Sequence, residues 1–453
     1  MIARLLRRAA DIKDGEVRPV LWACLYCFFV LASFYVLRPL REEMGIAGGI
    51  KNLPRMYLGT LAATIVMVPL FSWLVSRFSR RRFIPIAYRF FALNLVGFYL
   101  LFRWLPEDSH VIAARVFYIW LSVFNLFVVT VFWGYMADIF TSGQGKRLFG
   151  FIAAGGTLGA VAGAGFTNQI VERVGTHAMF FIAAFVVEAA VQAFRRLDRL
   201  PVFLGPEGNL SLDAVAVKVA AAAVKKEERL DRTGFLGGFT LVVRSPYLLA
   251  YCLFMLLFTN SSTFAYFEQA RFVKAASASP EARTAIFAQM DLLVNLLALF
   301  VQMFLTGRVV RWLGLGGALC ILPLLSLSGF GALLVWPTLV MLMTFQVLRR
   351  GTDYAVSKPT REVLFTVLPR EEKYKAKSFI DTFVYRAGDA INAAVYGQLT
   401  ESGDPARRVA LVSVPVTAAW IAVSLMLSRR QQRLAATVAP VPVAPVTRPA
   451  PAV

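Results

Sequence analysis

The sequence predicts an all-α polytopic membrane protein of about twelve transmembrane helices, arranged as six plus six. Three observations predict it. Of 453 residues 58% are apolar and only 17% charged, a balance that belongs to membrane proteins. Apolar runs near the roughly 20 residues needed to cross hydrocarbon recur along the chain. The first half also has a counterpart in the second.

The opening stretch, 1–18, is basic and reads as a cytoplasmic N-terminus with a short interfacial helix. Its apolar continuation is too long for a cleavable signal and lacks a small-residue cleavage site. Spans follow at about 19–38, 56–77, 83–103, 111–140, 148–170 and 177–195, which make an N-terminal six-helix half over 19–195. The next stretch, 196–245, carries Pro201, Gly205, Pro206 and KKEERLDR, so it reads as a cytoplasmic linker with one amphipathic helix. A C-terminal half over 246–428 holds six more spans, at about 246–272, 285–308, 316–336, 338–354, 376–399 and 409–427. The tail, 429–453, is Pro-rich and reads as extended and disordered. Lys and Arg crowd the N-terminus and the loops at 77–82, 141–147, 195–245, 308–311, 358–377 and 429–433. The intervening loops are nearly bare, although 39–55 and 271–283 carry a few, so both termini are expected in the cytoplasm.

A net charge of +21 invites comparison with nucleic-acid binders. The basic residues sit in short loops between apolar runs and no nucleic-acid module is present, so attraction to anionic lipid accounts for the excess. Cys24, Cys27, Cys252 and Cys320 all lie in apolar runs. The C-x-x-C lacks the strand–helix setting of a redox fold, and these cysteines read as small buried residues. The two histidines, His110 and His177, give no metal site. With no Walker motif, nucleophile elbow or metal-ligand cluster, the chain reads as a non-enzyme without cofactor.

The halves echo each other. YCFFVL at 26–31 matches YCLFML at 251–256, and Phe140-Thr141 matches Phe365-Thr366 at the same offset of 225. Phe151-Ile152 matches Phe379-Ile380 at 228. Two six-helix halves joined by a cytoplasmic loop make the major-facilitator architecture, in which substrate binds near the midplane between halves.

One charged stretch organises the second half: KPTREVLFTVLPREEKYKAKSFIDTFVYRAGD, from Lys358 to Asp389. Its ionisable residues run on into a span, since Asp381, Tyr385, Asp389, Asn392 and Tyr396 follow at helical spacing on one face. Charge inside a span marks function by default. Similar stripes occur at Arg115, Tyr118, Ser122 and Asn125, at Asn260, Phe264, Glu268 and Arg271, and at Asp291, Asn295 and Gln302. The alternative for the uncharged members is interhelical hydrogen bonding. Arg89 lies seven residues inside its span, and either reaches back to the RFSRRR interface or lines a cavity. Basic residues at helix ends, among them Arg38, Arg41, Arg271, Arg349, Arg350, Lys358, Arg361 and Arg386, suit an anionic substrate. Arg38, Arg41, Arg115, Asn125, Asn260, Glu268, Arg271 and Arg386 form the candidate substrate set. Glu42, Asp353, Lys358, Arg361, Glu362, Asp381 and Asp389 form the candidate gating set, with Glu362 expected to pair with a nearby cation. Gly155, Gly159 and Gly163 recur every four residues, a pattern for close helix packing and not a phosphate loop.

On these residues the chain resembles the nucleotide transporter family of plastid and intracellular-parasite ATP/ADP translocases, in its broader bacterial branch. Leu37, Arg38, Arg41 and Glu42 are similar to the family's first-helix end. Trp133, Gly134, Gly145 to Phe149 and Phe151 are similar to its W-G…A-K-R-F-Y stretch, and Ser245 to Leu248 with Glu268 and Arg271 to its S-P-Y-I stretch. The fullest match runs through Lys358, Pro359, Arg361, Glu362, Leu368, Pro369, Glu371, Lys373, Lys375, Lys377, Ile380, Asp381, Arg386 and Gly388. Three positions depart from the family pattern: Asp389 replaces a Lys, Ala376 a Gly and Arg41 a Lys. The resemblance implies a twelve-helix major-facilitator-like fold and nucleotide transport, often by counter-exchange.

The sequence therefore points to a membrane carrier of an organic anion, a nucleotide or another phosphorylated metabolite, acting as a monomer in anionic lipid. Two alternatives stand beside it: a proton-coupled carrier of a neutral or cationic solute working through Asp381 and Asp389, and a non-transporting scaffold that docks partners on 196–245.

Overall fold

A computed structural model describes residues 15–200, 234–369, 376–377, 379–400 and 405–437. The basic start, most of the linker, the 370–375 segment and the Pro-rich tail lie outside the described residues. Those described are helical, with no strand among them. The first set comprises α1 (Val17–Ala47), α2 (Leu53–Arg77), α3 (Arg80–Trp104), α4 (Glu107–Ile139), α5 (Ser142–Val174) and α6 (Ala178–Asp198). A short α7 (Gly234–Arg244) leads into α8 (Pro246–Ala276), α9 (Pro280–Phe304) and α10 (Thr306–Val335). Then α11 (Leu339–Thr352) passes through a π turn (Asp353–Ser357) into α12 (Lys358–Leu364). A second π turn (Ile380–Val384) opens α13 (Tyr385–Thr400), and α14 (Pro405–Thr437) closes the described chain. Nine of these helices are long and apolar enough to cross a membrane among the described residues. The segments of α2, α11–α12 and α13 complete the twelve crossings.

Helix starts follow local chemistry. Thr141 caps α5, accepting from the Gln144 N–H at 3.4 Å while its own N–H donates to the Gln144 side chain at 3.0 Å. Gln144 and Arg147 also donate to Glu16, at 2.9 and 3.0 Å, which ties the start of α5 to that of α1. Ser245 caps α8 ahead of Pro246, whose missing N–H costs nothing in a first turn.

The first helix departs from the expectation. The sequence predicts an end at Arg38, before a charged loop; the helix continues through Pro39 to Ala47. Arg38, Arg41, Glu42 and Glu43 all find partners of opposite charge, so their charges do not force the helix into water. Arg89 takes neither expected course. On the outer face it pairs with Glu188 of α6, Nε to Oε2 at 3.0 Å and Nη2 to Oε1 at 2.7 Å.

Aromatic residues fill the core of the first set, where Tyr26, Phe124, Phe132, Phe180 and Phe194 are buried together. The Tyr26 hydroxyl donates to that of Tyr88 at 2.9 Å, and its ring meets Phe132 edge-on at 5.0 Å. In the second set Tyr251 meets Phe365 edge-on at 4.8 Å, in a core with Phe254 and Trp420. A third cluster draws on both sets: Ile46, Leu53, Met56 and Tyr118 pack with Phe264, Phe267, Phe330 and Tyr396.

The glycine stripe seats α5 on α1. A Cβ at Gly159 would stand 2.1 Å from the Phe28 carbonyl oxygen, at Gly163 2.6 Å from that of Ala32, and at Gly155 2.7 Å from that of Cys24. The backbones touch one turn apart, three times. In the second set Gly388 of α13 makes room for a side chain of α8 instead: a Cβ there would stand 2.5 Å from the Thr259 hydroxyl oxygen. A Gly159→Val variant is expected to lose about 1–3 kcal/mol through overpacking, read as a lower Tm in detergent. Gly134→Ala, in open space, should leave the Tm unchanged.

Candidate functional site

Between the two sets lies a cavity of about 640 Å³, within the size range of small-molecule sites. α1 contributes Tyr35, Arg38, Arg41 and Glu42; α2 adds Tyr57, and α4 adds Ser122 and Asn125. From the second set come Tyr266 and Gln269 of α8, Asn295 and Gln302 of α9, and Gln346, Arg349 and Arg350 of α11. Asp353 and Tyr354 of the π turn, Lys358 of α12, and Tyr385, Arg386 and Asp389 of α13 complete the polar wall. Six cations face three carboxylates.

Most of these cations are matched. Asp291 of α9, 2% exposed behind the wall, receives Arg350 at 2.5 Å and Arg38 of the first set at 3.3 Å. Arg41 lies over the Tyr118 ring at 3.8 Å, donates to the Tyr118 carbonyl at 3.3 Å and reaches Glu42 at 3.3 Å. Arg386 stands 3.9 Å from Asp389, which also accepts from Thr263 at 3.3 Å. Arg361 donates to Asp353 at 3.2 Å and covers the Phe258 ring at 4.4 Å.

One end of the cavity is shut by contacts between the sets. Glu43 of α1 and Arg283 of α9 form a two-pronged pair at 2.6 and 2.7 Å, with both side chains nearly buried. Tyr118 and Tyr266 share a hydrogen bond at 3.0 Å, and Tyr57 packs on Tyr266 and Phe267. Thr176 donates to Glu281 at 3.4 Å. These contacts lie toward the C-terminal end of α1.

Of the substrate set expected from sequence, Arg38, Arg41, Asn125 and Arg386 line the cavity. Arg115 instead donates to the Gly48 carbonyl at 2.8 Å and closes the end of α1. Asn260 donates to Asn392 at 2.8 Å, joining α8 to α13. Glu268 accepts from Arg271 and from the Tyr396 hydroxyl, both at 2.7 Å, away from the cavity wall. The stripe on α13 thus divides: Tyr385 and Asp389 face the cavity, while Asn392 and Tyr396 bond to α8. Of the gating set, Glu42, Asp353, Lys358 and Asp389 line the cavity. Glu362 pairs with Lys377, which also reaches Asp381 at 3.3 Å. Lys373 and Lys375, the other cations expected near Glu362, lie outside the described residues.

Sequence reasoning missed Tyr57, Tyr266, Gln269 and Gln346. A tyrosine or a lone glutamine inside an apolar run carries no pattern, and only a neighbouring helix reveals which way it faces. Arg283, the partner of Glu43, was lost among the few charges of a loop.

No family model matches the chain. It is 21% identical to ADP,ATP carrier protein 2 of Chlamydia pneumoniae, with 96% of this chain and 92% of that relative covered. It is 22% identical to ADP,ATP carrier protein 1 of Chlamydia trachomatis, over 60% of this chain and 56% of the relative's length. Among solved structures, a POT family transporter in complex with 5-aminolevulinic acid aligns at TM-score 0.60 and 13% identity, covering 92% of this chain and 96% of that one. A D-xylose-proton symporter aligns at TM-score 0.60 and 13% identity, over 93% and 98%. The chain has the all-α, polytopic, major-facilitator-type fold, and resembles nucleotide carriers over nearly its whole length.

The buried Asp291 makes a direct prediction. Asp291→Ala strands two guanidinium groups and is expected to cost about 3–5 kcal/mol, measured as a fall in unfolding free energy in detergent. Replacing Arg350 by Met in the same chain should recover part of that loss. A fall under about 1 kcal/mol for Asp291→Ala would show that the two arginines do not need it.

Proposed function

We propose that this chain is a membrane carrier for an organic anion, a nucleotide or another phosphorylated metabolite, moved by alternating access and in exchange for a second such anion. One observation carries the reading: the cavity is walled by Arg38, Arg41, Arg349, Arg350, Lys358 and Arg386 against Glu42, Asp353 and Asp389. Cations removed from water are tolerated when something of opposite charge meets them. A phosphoryl group, with about −1.5 to −2 charge near neutral pH, restores the balance that the protein leaves open. The relatives are ADP,ATP carrier proteins, which agrees with such a cargo.

In this reading Arg38 and Arg41 of the first set and Arg386 of the second hold the anion from opposite sides, with Asn125 beside them. The Glu362–Lys377–Asp381 and Asp353–Arg361 pairs form the other mouth, where exchange of ionic partners accompanies opening. Both termini face the cytoplasm of a bacterial cell, 196–245 links two six-helix halves, and the end shut by Glu43 and Arg283 faces outward. The carrier acts as a monomer, with its basic loops against anionic lipid.

Two measurements test this. Proteoliposomes loaded with ADP should take up labelled ATP or a sugar phosphate, and Arg386→Gln should reduce the rate at least tenfold while the protein inserts normally. Uptake of a non-anion driven by a proton gradient, or an Arg386→Gln variant at the parent rate, would contradict the anion path. A periplasm-requiring reporter should be silent after Arg433 and active at Asp108; the reverse pattern would invert the orientation.

A further inference from the structure

Arg349 and Arg350 are adjacent on α11, yet they stand in different surroundings. Arg350 is committed to Asp291 at 2.5 Å. Arg349 is 4% exposed, lines the cavity, and has no carboxylate within salt-bridge distance among the described residues. Asp353, four residues on, is the acidic group that helical spacing would offer it. That carboxylate donates nothing and accepts from Arg361 at 3.2 Å instead. Arg349 is thus a buried charge with no salt-bridge partner among the described residues.

What the protein does supply is orientation. The Arg349 Nε donates to the Gln346 side-chain oxygen at 3.0 Å. The Gln346 amide nitrogen donates in turn to the Ala265 carbonyl at 3.1 Å and to the Gln269 side-chain oxygen at 2.7 Å. With both its amide hydrogens given to α8, Gln346 has only its oxygen to offer Arg349. Gln269 and Gln346 also line the cavity. The relay fixes one nitrogen of the guanidinium fork and leaves Nη1 and Nη2 without a protein acceptor among the described residues. Two parallel N–H groups on a planar, permanently charged fork match the oxygens of a phosphoryl or carboxylate group.

We propose that Arg349 is the anchor for an oxyanion of the cargo, and that Gln346 and Gln269 are positioning residues that hold its fork ready. The proposal rests on the organic-anion reading of the cavity and deepens it. It assigns the first contact to a residue that meets no competing carboxylate, whereas Arg38, Arg41 and Arg350 are already engaged. Lys358, an exposed cation on the same wall, and Arg386, only loosely held by Asp389 at 3.9 Å, are placed to take further oxygens of the same group.

The test uses the purified full-length chain, its thermal unfolding followed with inorganic pyrophosphate, ATP and citrate as probes. Pyrophosphate and ATP represent phosphoryl oxygens, and citrate represents carboxylates. The parent is expected to gain Tm saturably with at least one of them. Arg349→Gln should weaken the apparent affinity for that probe at least tenfold, and Arg349→Lys should restore part of it. Gln346→Glu places a carboxylate beside Nε and gives up both bonds that the Gln346 amide donates to α8; it should lower the Tm without probe and lose the response at least tenfold, because the anchor then carries its own counter-ion. If Arg349→Gln does not fold, Gln346→Glu decides. Both variants responding like the parent would overturn the anchor while leaving the anion reading in place. A parent that responds to no probe and takes up no anion would sink that reading, and this proposal with it.

Discussion

Asp291 forms ion pairs with two arginines that arrive from opposite parts of the chain, Arg38 on α1 and Arg350 on α11. Without that carboxylate, two guanidinium groups would share a low-dielectric wall with no counter-charge, at a cost of several kcal/mol each. The rest of the cavity obeys the same constraint. Arg41 has Glu42 and the Tyr118 ring, Arg361 has Asp353, and Arg283 has Glu43. Charge enters this bundle in matched groups, and Arg349 is conspicuous because its match is missing among the described residues.

The same pairs also tie the two helix sets together. Glu43–Arg283 and Arg38–Asp291 both run from α1 to α9, and the Tyr118–Tyr266 hydrogen bond runs from α4 to α8. Around them Ile46, Leu53 and Met56 pack on Phe264, Phe267 and Tyr396. For the cavity to open at that end, these contacts must part. Within the first set, by contrast, α5 packs on α1 backbone against backbone through Gly155, Gly159 and Gly163, while in the second set Gly388 of α13 makes room for the Thr259 and Leu256 side chains of α8. Glycine seams allow no such parting without loss of dispersion contact. The division between rigid seams inside each set and ionic contacts between them is what two-body rocking requires.

Much of this could be read in the sequence. Hydropathy marked the long apolar helices, the four-residue glycine repeat marked a close helix contact without naming its partner, and ionisable residues at helix ends and inside spans marked Arg38, Arg41, Asp291, Arg386 and Asp389. The failures have physical causes. Pro39 and the charges around it looked like the end of a helix; internal pairing lets α1 run on to Ala47. Glu268 and Arg271 looked like cavity residues, and they satisfy each other together with Tyr396. Spacing within one helix says little about a neighbour's side chains, and so the Gln269–Gln346–Arg349 relay, which crosses from α8 to α11, was not legible.

We read the space between the sets as an anion site because, among the described residues, its cations exceed its carboxylates. The most direct check is a crystal structure with tungstate, a phosphate-shaped anion whose metal scatters anomalously. An anomalous peak should stand within hydrogen-bond reach of the Arg349 guanidinium, on the side of the wall shared with Lys358 and Arg386. Tungstate bound only at surface lysines, with the cavity free of any anomalous signal, would contradict it.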